Sequence, residues 1–312
     1  MPRARGANAV MAAAFESVYG TPPVSGFKKL PFVSSNLGEE QNLIESDLLG
    51  YGRDPQAPAR DVINNVGDVV VPVDVRNFGT WLKLLLGNPT TTGTGPYTHT
   101  FVSGALTLPS LAIEVGMPDV PSYGMNFGAR GNTLAIQMQR SGLLNATIGI
   151  IAQGETRSSS SAAGSPTEAA IKRFAQGQGE IKRDGTQLGN VVSGTFNYSN
   201  NLDPVEIIRP DGRIADADPA MVSATGDIVV RFADTTLLDL AIAGTPVELS
   251  FGWAIDADES LLITLHEVHL PKPKLPISGP GGVQATFNWQ ASEDPSLSKT
   301  VTVVLVNDVA TY

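Results

Sequence analysis

Three histidines and two Asp-Ala-Asp runs are the residues of this chain whose types and spacing come nearest to chemistry. His266 and His269 lie in "LHEVH", one residue short of the zinc-protease pattern in which two histidines four apart on a helix share a metal. The flanking residues alternate as in a strand, so His266 and Glu267 point to opposite faces and the histidines read as surface groups at a strand end. His99 stands alone. Asp216 with Asp218, and Asp256 with Asp258 and Glu259, have the composition of a calcium site or an acid–base pair. Both runs lie beside turn formers, where aspartate commonly serves local hydrogen bonding. The closely spaced glycines of "GARG" and "SGPGG" open no helix after a strand, and no nucleophile elbow or phosphate loop occurs. Cysteine is absent, which excludes disulfides, thiolate metal sites and a cysteine nucleophile. The expectation is of a protein that is not an enzyme, with no catalytic, cofactor or metal residues.

The elements that would position any site begin with composition. At 312 residues the chain has room for two domains. Its net charge of −10, from 31 acidic and 21 basic side chains, lacks the clustered Lys and Arg that grip nucleic-acid phosphates. No apolar run reaches the ~18–20 residues of a membrane helix. The N-terminal "MPRARGANAVMAAAFESVYG" has the basic start and apolar run of a signal peptide, but Glu16 interrupts it and no cleavage site follows. It is expected to be an exposed arm or short helix of a protein made in the cytoplasm.

"GDVVVPVDVRNFGTWLKLLLGNP" (Gly67 to Pro89) reads as a strand entering a helix, with Phe78, Trp81, Leu82 and Leu85 on one stripe, Asn77 as N-cap and Gly87 past the end. "GDIVVRFADTTLLDLAIAGTP" (Gly226 to Pro246) repeats it at a shift of 227 − 68 = 159. Further on, "EVGMP" matches "EVHLP" at a shift of 267 − 114 = 153, which also aligns Thr133 with Thr286, Gln137 with Gln290 and Thr147 with Thr300. The same order of elements points to a duplicated β-rich unit: residues 1–153, a Ser- and Gly-rich linker over 154–176 holding a short helical "TEAAIKRFA", and residues 177–312 as the diverged copy. In "NTLAIQMQ", "ATIGIIA", "QATFNWQ" and "KTVTVVL" apolar and polar residues alternate, as in antiparallel strands with one face on a core. Thr133, Gln137, Gln139, Thr147, Thr286, Asn288, Gln290 and Thr300 fall on the wetted side, almost without Lys or Arg, where an ordinary surface carries more charge.

Over residues 5–87, from "RGANAVMAAAFESVYGTPP" through "FKKLPFVSSNLGEEQNLIESDLLGYGRDPQAPARDV" to "GDVVVPVDVRNFGTWLKLLLG", the chain resembles the major tail tube proteins of long, flexible-tailed bacteriophages. The resemblance implies a mainly β fold with short helices: two tandem tail-tube-type sandwich or barrel domains, each with one flanking helix. It implies a virion protein whose copies join edge to edge into rings, and rings that stack into a hollow conduit for DNA ejection. The implied partners are further copies of the chain, tape measure, tail terminator and distal tail proteins, and DNA that passes without specific binding. No membrane is involved. With two tube domains per chain, three chains would supply a ring of six. The eight polar residues above become candidates for lining the lumen. Residues 38–65, rich in turn formers, become a stacking loop, with Glu45, Asp47, Arg53 and Asp54 as inter-ring contacts. Asp119 in "PDVP" and Lys272 and Lys274 in "KPK" are further candidates, as complementary charges on equivalent loops. Other readings are a baseplate or decoration subunit, and a β-sandwich carbohydrate-active protein with Trp253 as its lone aromatic platform.

Overall fold

A computed structural model describes residues 3–277 and 279–312. The strands of five residues or more are β1 (Val10–Phe15), β2 (Gly38–Ile44), β3 (Ala59–Pro72), β4 (Tyr97–Val102), β5 (Leu111–Met117), β6 (Ser122–Met138), β7 (Asn145–Ala152) and β8 (Gly154–Ser158). They continue with β9 (Gly179–Arg183), β10 (Val191–Ser199), β11 (Ser223–Arg231), β12 (Val247–Asp256), β13 (Glu259–His269), β14 (Gln284–Ser292) and β15 (Val301–Asn307). Helix α1 (Phe78–Leu86) follows β3, and α2 (Thr236–Ala243) follows β11. The fold is mainly β with short helices.

One antiparallel sheet runs through both halves in the order β2–β3–β7–β6–β10–β11–β14–β13. Its first four strands come from the first half and its last four from the second. The seam is β6 against β10, with Ile136 opposite Phe196 and Leu134 opposite Tyr198. Two strands are long enough to serve a second layer behind this sheet. The N-terminal part of β6 pairs there with β5 and β8, and β1 lies beyond β5. In β13, residues 267–269 pair with β14 in the front sheet and residues 260–265 with β15 behind, while β12 runs along the other edge from Glu259 to Val268. β9 adjoins β12, and β4 of the first half closes on β15 of the second.

The order of pairings recurs, but not in the register that alternation suggests. β3 leads to α1, then the β5–β6 hairpin, then β7 and β8; β11 leads to α2, then the β12–β13 hairpin, then β14 and β15. β7 lies against β3 as β14 lies against β11, and β8 against β6 as β15 against β13. The counterpart of β6 is therefore β13, and that of β7 is β14. Aligning Thr133 with Thr286 and Thr147 with Thr300 is one strand out of step. Strand alternation repeats every two residues and carries no mark of which strand is which.

A single buried cluster joins both halves, including Val71, Trp81, Leu85 and Ile136 with Phe196, Phe251, Trp289 and Leu305. Phe196, Phe251 and Trp289 have ring centroids 6.0–6.4 Å apart. Helix α1 lies inside this cluster, against β6 and β4, so Leu84 and Leu86 are buried along with the expected stripe. α2 is peripheral: Leu237 and Ala241 face inward and Ile242 outward. The capping of α1 also differs from expectation, because Asn77 caps nothing with its side chain. Asp74 does so instead, accepting from the backbone N–H of Arg76 at 2.8 Å and of Asn77 at 2.5 Å, and from the Asn77 amide at 2.9 Å.

Two further segments depart from the sequence reading. Residues 10–15, expected as an exposed arm or short helix, form β1, with Met11 to Ala14 buried against β5. Tertiary pairing here overrides the helix preference of the alanines. Residues 154–176, expected as a flexible linker, are tied down along their length. Buried Glu114 accepts from Ser161 Oγ and from the backbone N–H groups of Ala162 and Ala163, at 2.5, 2.6 and 3.2 Å. Thr167 and Glu168 then pair with Lys28 and Lys29 in extended conformation rather than beginning a helix, and Phe174 is fully buried. Local composition cannot register a distant carboxylate that satisfies these backbone groups.

Candidate functional site

The front sheet turns one face to the core and the other to solvent. Following the registers along the solvent face, one row reads Val70, Thr147, Ala135, Asn197, Thr225, Gln290 and His269. On one side of it run Asp68, Gly149, Thr133, Ser199 and Ser223. On the other run Gln137, Thr195, Asp227 and Asn288, then Ser193, Val229 and Thr286, then Arg231 and Gln284. The charged side chains in these rows are Asp68, Asp227 and Arg231, and there is no lysine. Asp227 is not free: its backbone N–H donates to Thr195 Oγ1 at 3.0 Å, and that hydroxyl donates to the carboxylate. At Gly149 an added Cβ would collide with Thr133 Oγ1, so the glycine leaves room for that hydroxyl.

Of the eight polar candidates, Thr133, Gln137, Thr147, Thr286, Asn288 and Gln290 thus share one face. Gln139 lies just past β6, its backbone N–H donating to Gln176 Oε1 at 3.0 Å. Thr300 stands apart, at the entry to β15 in the rear layer, where its N–H donates to Ser103 Oγ at 3.1 Å. The sequence signal missed β10, whose Thr195, Asn197 and Ser199 occupy the middle of the face.

At one rim of the sheet β2 and β3 form a projecting hairpin. Residues 38–65, expected as a loop, are paired from Gly38 opposite Val66 to Ile44 opposite Ala59, leaving only residues 45–58 outside strands. Both faces of the outer part are wet, so no apolar alternation marks it in the sequence. Arg213 anchors the base, donating to Glu39 at 2.8 Å, while Ile63 N–H donates to the Gly212 carbonyl at 2.9 Å. Glu45, Asp47, Arg53 and Asp54 are exposed at the tip. Asp119 is engaged within the chain, accepting from Asn8 Nδ2 at 2.8 Å and from the Arg5 N–H at 3.1 Å. Lys272 and Lys274 are exposed in the segment after β13. These are not equivalent loops. The turn holding Asp119 lies between β5 and β6, so its counterpart is the turn between β12 and β13, which holds Asp258.

The groups that resembled chemistry have local partners. His99 is buried, with Nδ1 against Thr91 Oγ1 and Nε2 against the Val309 carbonyl, both at 2.8 Å. His266 Nε2 lies 2.7 Å from Thr302 Oγ1, and His269 Nε2 lies 3.0 Å from Ser292 Oγ. Asp216 pairs with Arg130 at 2.9 Å, Asp256 accepts from the Asp258 N–H at 2.9 Å, and Glu259 pairs with Lys172. Among the described residues no three His, Asp or Glu side chains are grouped to hold a metal. All three tryptophans are buried, so Trp253 offers no sugar platform. Among the described residues no helix is long and apolar enough to cross a membrane.

No curated protein matches the chain. Among solved structures it is similar to the crystal structure of the Pseudomonas putida toluene transporter TodX, at 12% identity over 96% of this chain and 87% of that one, with a TM-score of 0.11. The TodX deltaS2S3 mutant monoaromatic hydrocarbon channel stands at 10% identity, 96% and 88% coverage and the same TM-score of 0.11. At that score neither bears on fold or activity. The model of one family, described as phage tail tube protein, matches residues 6–291. With that match spanning nearly its whole length, the chain belongs to the phage tail tube protein family.

Proposed function

We propose that copies of this chain join side by side into rings, and that the rings stack into the hollow tube through which phage DNA leaves the capsid. The observation that carries this reading is the eight-stranded front sheet, built from two four-strand sets in the same order. The seam between the sets, β6 against β10, already joins the end of one to the start of the next. β13 and β2 are the corresponding outer strands, so β2 of a neighbouring chain laid along β13 beyond Val268, where the pairing with β12 stops, would repeat that seam. Pairing there removes exposed edges that otherwise invite aggregation. Three chains then give six sets, a threefold ring with a sixfold outline, in which the two sets of each chain act as tandem wall units.

The solvent face of the front sheet lines the lumen in this reading, with Thr133, Gln137, Thr147, Thr286, Asn288 and Gln290 on the wall. A wall almost free of cationic side chains forms no lasting contacts with phosphate, so the duplex slides. The β2–β3 hairpin, with Glu45, Asp47, Arg53 and Asp54 at its tip, reaches the next ring. Tape measure, terminator and distal tail proteins meet the tube along its bore and at its ends. The chemistry is that of a structural virion component without cofactor.

Negative-stain imaging of the purified chain, followed by averaging of tube cross-sections, tests the reading. Tubes whose rings contain three chains are expected. Rings of six chains overturn the three-chain arrangement, and discrete particles that never elongate overturn the tube itself.

A further inference from the structure

We infer that the β2–β3 hairpin of one chain docks into an arginine-lined groove on the opposite rim of a chain in the adjoining ring. This rests on the proposed stacking role of the hairpin and adds the surface that receives it. The strands set the direction. β3 pairs with β7 only from Asn65 to Pro72, so residues 59–64 run on beyond the last residue of β7. At roughly 3.3 Å per residue that is an extension of about 20 Å, before the tip is counted.

The opposite rim is where β6 ends, β10 begins and β11 ends. Arg140, Val192 and Arg231 line a groove of about 560 Å³ there, and an adjoining cavity of about 170 Å³ holds Asp234 and Arg183, the latter paired with Asp184. Among the described residues neither Arg140 nor Arg231 makes an ion pair or donates a side-chain hydrogen bond within the chain, and both are exposed. Residues 45–58 carry Glu45, Asp47 and Asp54 against Arg53, a net of 1 − 3 = −2. Their outer part also presents Leu48, Leu49 and Tyr51 to solvent, Leu49 at 93% exposure. An acidic projection with apolar side chains therefore stands at one rim of the sheet, and the groove at the opposite rim carries Arg140 and Arg231, with Glu180 beside Lys182 and an apolar lining that includes Met138 and Val192. Head-to-tail contacts between unlike surfaces propagate without closing, as a filament requires. The cavity beside the exposed Leu106 and Met221 is a poorer receiver, because it lies where β11 begins and β14 ends, on the rim from which the hairpin itself projects.

The test uses the full chain. The double variant R140E/R231E is expected to remain folded by circular dichroism and to lose pelletable tubes. Adding E45K/D47K to it is expected to restore them. Because the chain has no native cysteine, L49C/V192C should give a ladder of disulfide-linked multimers when assembled tubes are oxidised. Normal tubes from R140E/R231E, or cross-link-free tubes from L49C/V192C, overturn the docking groove. Normal tubes from a chain lacking residues 45–58 overturn the stacking role itself, which separates the two failures.

Discussion

Replacing Asn200 with alanine should loosen the join between the halves more than its one side chain suggests. Asn200 is 3% exposed and stands just past β10, at the seam. Its amide nitrogen donates to the Leu85 and Gly131 carbonyls, each at 2.8 Å, and its oxygen accepts from Tyr198 OH at 2.9 Å. The Leu85 carbonyl belongs to the last turn of α1, where the helix supplies no N–H donor. Alanine removes three buried hydrogen bonds, each worth about 1 kcal/mol, so the loss is about 3 kcal/mol. At roughly 2–4 °C per kcal/mol for a chain of this order, the melting temperature falls by about 6–12 °C. Thermal melts of unassembled protein followed by circular dichroism read this directly. The transition should stay single, since one buried cluster runs through both halves. Asn200→Asp keeps the acceptor for Tyr198 but sets a carboxylate against two carbonyls, and should cost more. A melting temperature for Asn200→Ala within about 2 °C of the parent refutes the reasoning, as does a split into two transitions.

Gln137→Lys and Gln290→Lys should leave tube formation intact, because both side chains are exposed on the solvent face, while slowing DNA delivery by infective particles; unimpaired delivery places the lumen elsewhere. Deleting Glu45–Pro58 should give a folded protein that no longer polymerises, and tubes of normal length would remove the hairpin from stacking. Asp308 is held below the usual carboxylate range chiefly by the hydrogen bonds it accepts from Arg76. A depressed folded pKa gives stability that is present above the unfolded value and lost as pH falls through the folded one. Arg76→Gln should therefore lower stability at neutral pH, by under about 1 kcal/mol from the ion pair because Asp308 is largely exposed. That deficit should shrink in denaturation curves taken at progressively lower pH, and a deficit that grows with acid contradicts the assignment.

The sequence made the strand–helix units legible because helices leave marks that strands do not. The stripe of α1, the glycine beyond each helix and the proline beyond that fix a position along the chain, which is why the alignment sets Asp68 beside Asp227. Both stand on the strand that enters the helix, and both face solvent. Capping was less legible, since the carboxylate that serves α1 lies three residues before the expected Asn77. Burial pushes the pKa of Asp74 upward, and the hydrogen bonds donated by Asn77 oppose that shift. Segments whose order comes from distant partners gave no local signal. Glu114 fixes residues 161–163, and β3 supplies the pairing that turns residues 38–44 into a strand.

Beyond each helix only alternation remained, and alternation fixes which face a residue takes while leaving open which strand it is on. This explains how a register one strand out of step still gathered most of the polar candidates onto one surface. β6, β7 and β14 all belong to the front sheet, so their polar positions share its solvent face whichever strand is matched to which. The slip becomes visible only where it crosses between layers. β15 was aligned with β7, yet its partners are β13 and β4 in the rear layer, and Thr300 is carried away with it. The place it was meant to fill is taken by β10, whose Thr195, Asn197 and Ser199 stand directly opposite Gln137, Ala135 and Thr133. Substituting lysine at Asn197 should therefore act like lysine at Gln137, whereas Thr300→Lys should leave DNA delivery unchanged. Equal effects at Asn197 and Thr300 would mean that the front sheet is not the conducting surface.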